Sequence, residues 1–315
     1  MSLKSQRIPF TFRLMLLAIV IILVTACKKE EKPPELGVYA SPDAAAQALQ
    51  TAIKAGDINA MVGIFGPDSK QFILSGDDVE DKNAASEFAA RYDVMHRWRK
   101  MPDDSQMLIV GADNFPFPIP LKKNPAGQWY FDTAAGKDEV LNRRIGRNEL
   151  ATIAASGAIF DAQADYYSHP HDGEKAKQFA VKFISDSGKQ NGLYWQAAQG
   201  QTQSPLGPLA AFATAEGYTA KPEGHTAFHG YYFKMLDGQT ANTPSGARDY
   251  IVNGKMTGGF AFVAYPTEYG NSGVMTFMIN QDGVLLEKDL GKTTTQVATA
   301  MTQFDPDPTW TIVQP

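Results

Sequence analysis

Four stretches of the 315-residue chain carry side chains able to do chemistry. The run NRRIGRNE at 142–149 holds Arg143, Arg144 and Arg147. Such a set binds an anion or pairs with carboxylates at a joint between domains, and Glu139 and Glu149 stand at helical pairing distance. The run SHPHDGE at 168–174 offers His169, His171 and Asp172, the donor types of a transition-metal site, although Pro170 also suits a plain solvated turn. Gly270-Asn271-Ser272-Gly273 sets a serine in a glycine-flanked turn, with His225 and His229 as candidate bases. A tight connection between two strands explains the same residues. Tyr194 and Trp195 could line a groove, or lie buried as aromatics commonly do. The chain has no His-Glu-x-x-His, no Gly-x-Ser-x-Gly and no dinucleotide fingerprint. Gly291-Lys292-Thr293 lacks the first P-loop glycine, Leu286 standing there. No catalytic set is complete and no cofactor is implied. The sequence therefore favours a non-catalytic role, with a hydrolase using Ser272 or the His169/His171 loop as the alternative.

Where these groups work is read from the first residues. Lys4, Arg7 and Arg13 precede an apolar run over 14–24. That run is shorter than the ~20 residues a membrane-crossing helix needs, and has the length of a signal-peptide core. It ends in LVTAC, which resembles the bacterial lipobox, and Cys27 is the only cysteine. The resemblance implies lipidation of Cys27 after cleavage, with residues 1–26 as the leader and 27–38 as a charged, proline-rich tether. Cleavage removes three positive charges and no acids, so the net charge moves from −5 to −8. An acidic chain of this kind is a poor partner for nucleic acid. The expected partners are the membrane, through lipidated Cys27, and an envelope protein. Lys28 in place of an aspartate after the cysteine implies, by the same resemblance, the outer membrane on its periplasmic side.

The rest of the chain is long enough for two cores. Residues 39–135 read as helices followed by strands. Ser41-Pro42-Asp43 is a helix start, Gly56-Asp57 a break, and 58–65 a second helix. A third helix is expected over 83–100, and strands at 107–110, 117–121 and 128–131. From Thr133 a helical period runs for ~35 residues, with Leu141, Ile145, Leu150, Ile153, Gly157, Phe160, Ala164 and Tyr167 as its apolar seam. Residues 136–315 then read as that helix packed on an antiparallel sheet with strands near 231–235, 259–264, 274–279 and 284–288. Asp282-Gly283 makes the last hairpin turn. The class is α+β.

Three resemblances refine this. The phrase ALQTAIKAGDINAMVGIFG and the closing GQWYFD resemble a nuclear transport factor 2-like cone. The phrase NRRIGRNELATIAASGAIFDAQADYY, with HGYYFKML and GGFAFVAYPTEYGNSGVMTFMINQDGVLLEKD, is similar to the long helix and head sheet of type IV pilin-like proteins. Here a whole preceding domain stands where pilins carry an apolar membrane segment. Over nearly all its length the chain resembles the bacterial family called domain of unknown function 2950, through FPFPIPL, WYFDTAAGKDEVLNRRIGRNEL, GLYW, SPLGPL, HGYYF, DYIVNGKM, GGFAFVAYPTEYG and FDPDPTW. That resemblance implies an Asp-x-Asp-x-Asp-Gly-like loop after the long helix, of which Asp172 and Gly173 are kept. It implies no reaction.

Overall fold

The computed structural model describes residues 36–219 and 227–314. Cys27, the leader before it and His225 lie outside them. Ser41 Oγ accepts from Ala44 N at 3.1 Å and Pro42 fills the first turn, so α1 (Pro42–Ala55) begins on its expected cap. Asp57 caps α2 (Ile58–Phe65). After the short α3 (Lys70–Ile73), the Asp77 carboxylate accepts from Val79 N and Glu80 N at 3.1 and 3.2 Å and starts α4 (Asp78–Val94).

The third helix is therefore shifted from the expected 83–100. It ends at an extended Met95, and β1 (His96–Lys100) pairs antiparallel with β2 (Gln106–Val110). Alternation decides this: Arg97 and Arg99 point to solvent, while Trp98 turns inward and donates its Nε1–H to Asp43 at 2.8 Å. The sheet continues through β3 (Phe115–Pro116), β4 (Leu121–Lys123) and β5 (Trp129–Phe131). The strand expected at 117–121 is interrupted because Pro118 and Pro120 have no N–H for a ladder.

Asp132 caps α5 (Thr133–Ser168), which runs unbroken through Gly146 and Gly157. Gly136 lets its first turn sit directly on the sheet, since a Cβ there would lie 2.6 Å from Ile119 Cα. A long irregular stretch with α6 (Gly207–Ala215) leads to β6 (Tyr231–Leu236). Small pairings follow: β7 (Gly238–Gln239) with β8 (Arg248–Asp249), and β9 (Ile251–Val252) with β10 (Lys255–Met256). The main sheet adds β11 (Ala261–Pro266), β12 (Met275–Asn280) and β13 (Leu286–Asp289), all antiparallel in consecutive order. α7 (Thr294–Ala300) precedes β14 (Gln303–Phe304), which lies parallel to β7, and β15 (Thr311–Ile312) completes the main sheet beyond β13. The fold is α+β.

Each half has its own apolar core. Leu49, Phe65, Ile119, Leu121 and Phe131 anchor the first, and Ile159, Tyr166, Phe260, Phe262 and Met278 the second. The described residues nevertheless fall in one compact unit. The seam expected on α5 is corrected: Leu150 is 69% exposed and Tyr167 38%. The buried stripe is Arg144, Asn148, Thr152, Ala155, Ser156, Ile159, Ala162, Gln163 and Tyr166. Small and polar side chains let loops approach the helix closely and bond to it, while Ile153 and Phe160 flank the stripe and still reach the second core.

Candidate functional site

The buried face of α5 is where distant segments meet. Arg144 donates through Nη1 to Asn271 Oδ1 and through Nη2 to Phe72 O at 2.6 Å. Asn271 Nδ2 passes the connection on to Leu74 O at 3.0 Å and Glu268 Oε2 at 2.9 Å. One turn along, Asn148 Nδ2 donates to Ser272 O at 2.8 Å, and Glu149 Oε1 accepts from Val274 N and Met275 N, both at 2.9 Å. Burial pushes the Arg144 guanidinium below its ordinary pKa. The arginine run is thus built into a joint between α3, α5 and the β11–β12 loop.

A second cluster extends this joint. Asp77 Oδ2 accepts from Tyr218 OH at 2.9 Å and Gly230 N at 3.0 Å, while its other oxygen caps α4. Burial, reinforced by Asp77, pushes the Tyr218 phenol up. His229 lies between two carboxylates, with Nδ1 3.5 Å from Glu80 and Nε2 3.0 Å from Glu216. Burial opposes its charge, but the two glutamates outweigh burial and raise its pKa above the usual imidazole value. Its backbone is left-handed at φ 48, and Gly230 follows at φ 71, where a Cβ would strike Asn148 Nδ2 at 2.6 Å.

Beside the joint opens a cleft of about 1050 Å³. Its walls come from α1, α2, α4, the first sheet and one face of α5. It exists because α4 packs loosely: of its seventeen residues only Tyr92 is buried. Phe65, Phe88 and Phe117 form an aromatic floor, with Phe117 centroids 5.3 Å from Phe88 and 6.3 Å from Phe65. Arg143, Arg144 and Arg147 all line it. Arg143 also bonds Glu139 and Pro116 O at 2.7 Å each and lies over the Phe115 ring, which carries Arg91 as well, at 5.0 and 4.9 Å. Arg147, with a 55% exposed side chain, reaches Glu80 only at 3.5 Å.

The other sequence candidates do not converge. Ser272 Oγ is buried and bonded to Thr267 Oγ1 and Glu268 N, both at 3.0 Å, with no histidine partner among the described residues. His169 Nδ1 faces Ser168 Oγ at 2.5 Å, His171 Nε2 faces Tyr166 O at 2.9 Å, and Asp172 accepts from Gln190 N at 2.9 Å. Within this loop only His171 turns inward, its ring stacked on Tyr166 at 3.9 Å, while His169 and Asp172 stay exposed. Among the described residues no three His, Cys, Asp or Glu come together as metal ligands. Trp195 is buried with Nε1 on Thr202 O at 3.2 Å, and the half-buried Tyr194 packs beside it against the second core.

Sequence reasoning missed Glu80, Glu216 and the cleft itself. Asp77 followed by Glu80 has the spacing of a helix-start box, which could have placed α4 correctly. Among the described residues no helix is long and apolar enough to cross a membrane. No curated protein and no solved structure matches the chain, and neither the pilin-like nor the nuclear transport factor 2-like resemblance is confirmed. The family model "Protein of unknown function (DUF2950)" matches residues 37–313, and the chain belongs to that family.

Proposed function

We propose that the protein is a lipid-anchored envelope protein that acts without catalysis, by binding an apolar ligand in the α1–α4/α5 cleft. The anchor is the thioether-linked lipid on Cys27, and the compartment is the periplasmic side of the outer membrane. The observation that carries the binding role is the cleft. Its volume is that of a site for a small molecule, and its aromatic walls are of the kind such sites use.

The test uses N-phenyl-1-naphthylamine, a neutral apolar fluorophore, with the purified protein. Saturable binding of one probe per chain is expected. Ala85→Trp, which projects an indole into the cleft from α4, should abolish it without lowering the melting temperature. Absence of saturable binding, or full binding by the tryptophan variant, ends the cleft reading. Separately, an alkyne-palmitate label should mark the wild type and not Cys27→Ser; a labelled serine variant ends the anchor reading.

A further inference from the structure

The charges around the cleft are not those of the chain. The lining holds six cations (Lys54, Lys82, Arg91, Arg143, Arg144 and Arg147) against four acids (Glu80, Asp81, Glu87 and Glu216). The whole sequence has the opposite balance, with a net charge of −5. The arginines also gather at one end. Arg91 and Arg143 share the Phe115 ring, Arg144 is the next residue of α5, and Arg147 lies one turn on from Arg143.

Arg144 is the most deeply buried of these cations. It is 8% exposed, yet among the described residues both of its hydrogen bonds go to neutral acceptors, the Asn271 amide and the Phe72 carbonyl. Asp81, Glu80 and Glu268 act on it only through space, and the like charge of Arg147 opposes them. Asp81 is already engaged by Ser75 N, at 3.0 and 3.1 Å. Buried charges are ordinarily paired and hydrogen-bonded, and a guanidinium has five N–H donors. Arg147, half exposed and 3.5 Å from Glu80, has donors to spare beside it.

From this geometry we infer that the cleft takes a single-chain anionic amphiphile, its carboxylate or phosphate head held by Arg144 and Arg147 and its alkyl chain lying over Phe88 and Phe117. The inference rests on the cleft reading above and names the ligand class. A planar guanidinium fork matches either head, so fatty carboxylate and alkyl phosphate share the recognition chemistry.

Calorimetric titration of the purified protein with decanoate, decyl phosphate, decanol and decylammonium tests it. Both anions should bind about 10- to 100-fold more tightly than the alcohol, the range for hydrogen bonds to a charged group. Arg147→Gln should remove at least half of that ratio while decanol binding stays unchanged. Because Arg144→Gln touches the joint and can unfold the chain, Arg147→Gln is the deciding variant. Equal binding of alcohol and anions overturns the anionic head and leaves the cleft reading standing. So does an Arg147→Gln ratio equal to that of the wild type. Tighter binding of decylammonium overturns it in favour of the Glu80 and Asp81 carboxylates. Binding of none of the four overturns both readings. A preference for decyl phosphate over decanoate, or the reverse, tells which head the site was built for.

Discussion

Helices α4 and α5 cross the same joint and are held in opposite ways. α4 buries one side chain, Tyr92, and leaves Phe88 half-covered in the cleft. α5 buries ten, and five of them, Arg144, Asn148, Thr152, Ser156 and Gln163, are polar. The difference shows that order in this fold does not follow apolar burial alone. α5 is fixed by hydrogen bonds to segments far away in sequence, such as Gln163 with Ala180 at 2.9 Å in both directions and Asn148 with Ser272. α4 is tied at its start by Asp77 and Asn83 and toward its end by Gln50, Lys54 and Asp113, yet leaves a gap beside its middle. A helix that packs loosely beside one that is locked is a physical basis for a binding cleft whose walls adjust while its frame holds.

The contrast is sharpest between two phenylalanines. Phe262 is fully buried on β11 between strands and helix, so Phe262→Ala should cost about 3–5 kcal/mol. Phe88→Ala on α4 removes a ring already facing the cleft and should cost less than about 1.5 kcal/mol, while weakening binding of the naphthylamine probe. Urea melts of the two variants decide this. A Phe88→Ala cost equal to that of Phe262→Ala would show α4 to be core and the cleft closed in solution.

Arg144→Ala sits next in size. It leaves the Phe72 carbonyl and the Asn271 amide oxygen without their donor, at roughly 1–3 kcal/mol for each buried group. The structural reason is shared by both halves, so limited proteolysis should cut faster at the connection after α3 as well as in the β11–β12 loop. Leu150→Ser, on the exposed face of the same helix, should change stability by no more than about 0.5 kcal/mol. If Leu150→Ser were the more damaging of the two, the apolar seam would hold α5 after all.

That comparison also marks what the sequence could tell. The start of α1, the length of α5 and the antiparallel order of β6, β11, β12 and β13 follow from caps, period and turn residues, and all are observed. The rotation of α5 was not legible. Periodicity counts apolar residues, and here the buried stripe is built from side chains that look like surface until their partners are known. The end of α4 was misread because 95–100 carries aromatic and long side chains compatible with either period, and the choice is made by pairing with β2. The cleft was illegible for another reason, being a space left by loose packing. Glu80, Glu216 and His229 come together only through the tertiary fold, so no local spacing announces them.

The smallest effect lies in that last cluster, and its sign can be worked out. His229 is faced by Glu80 on α4 and by Glu216 after α6; Arg147 lies on Glu80, and Asp77 with Tyr218 sits behind the His229–Gly230 backbone. Its folded pKa is raised, so its contribution is complete below the unfolded value of ~6.5 and is lost as pH rises through the folded value. Glu80 is held below the usual carboxylate range, chiefly by its hydrogen bond with His229 and against burial. Its contribution is therefore present above ~4.3 and lost as pH falls through the lower folded value. The cluster ties α4 to the second half most firmly between those limits, near pH 5–6. His229→Asn keeps a residue that tolerates the left-handed backbone and removes the charge. Urea midpoints at pH 5.5 and 8.5 should show the wild type losing more stability with rising pH than the variant. The difference should be smaller than the Arg144→Ala effect, because the imidazole keeps neutral hydrogen bonds at high pH. Parallel pH profiles for the two proteins would mean that the charge on His229 adds nothing to the hold on α4.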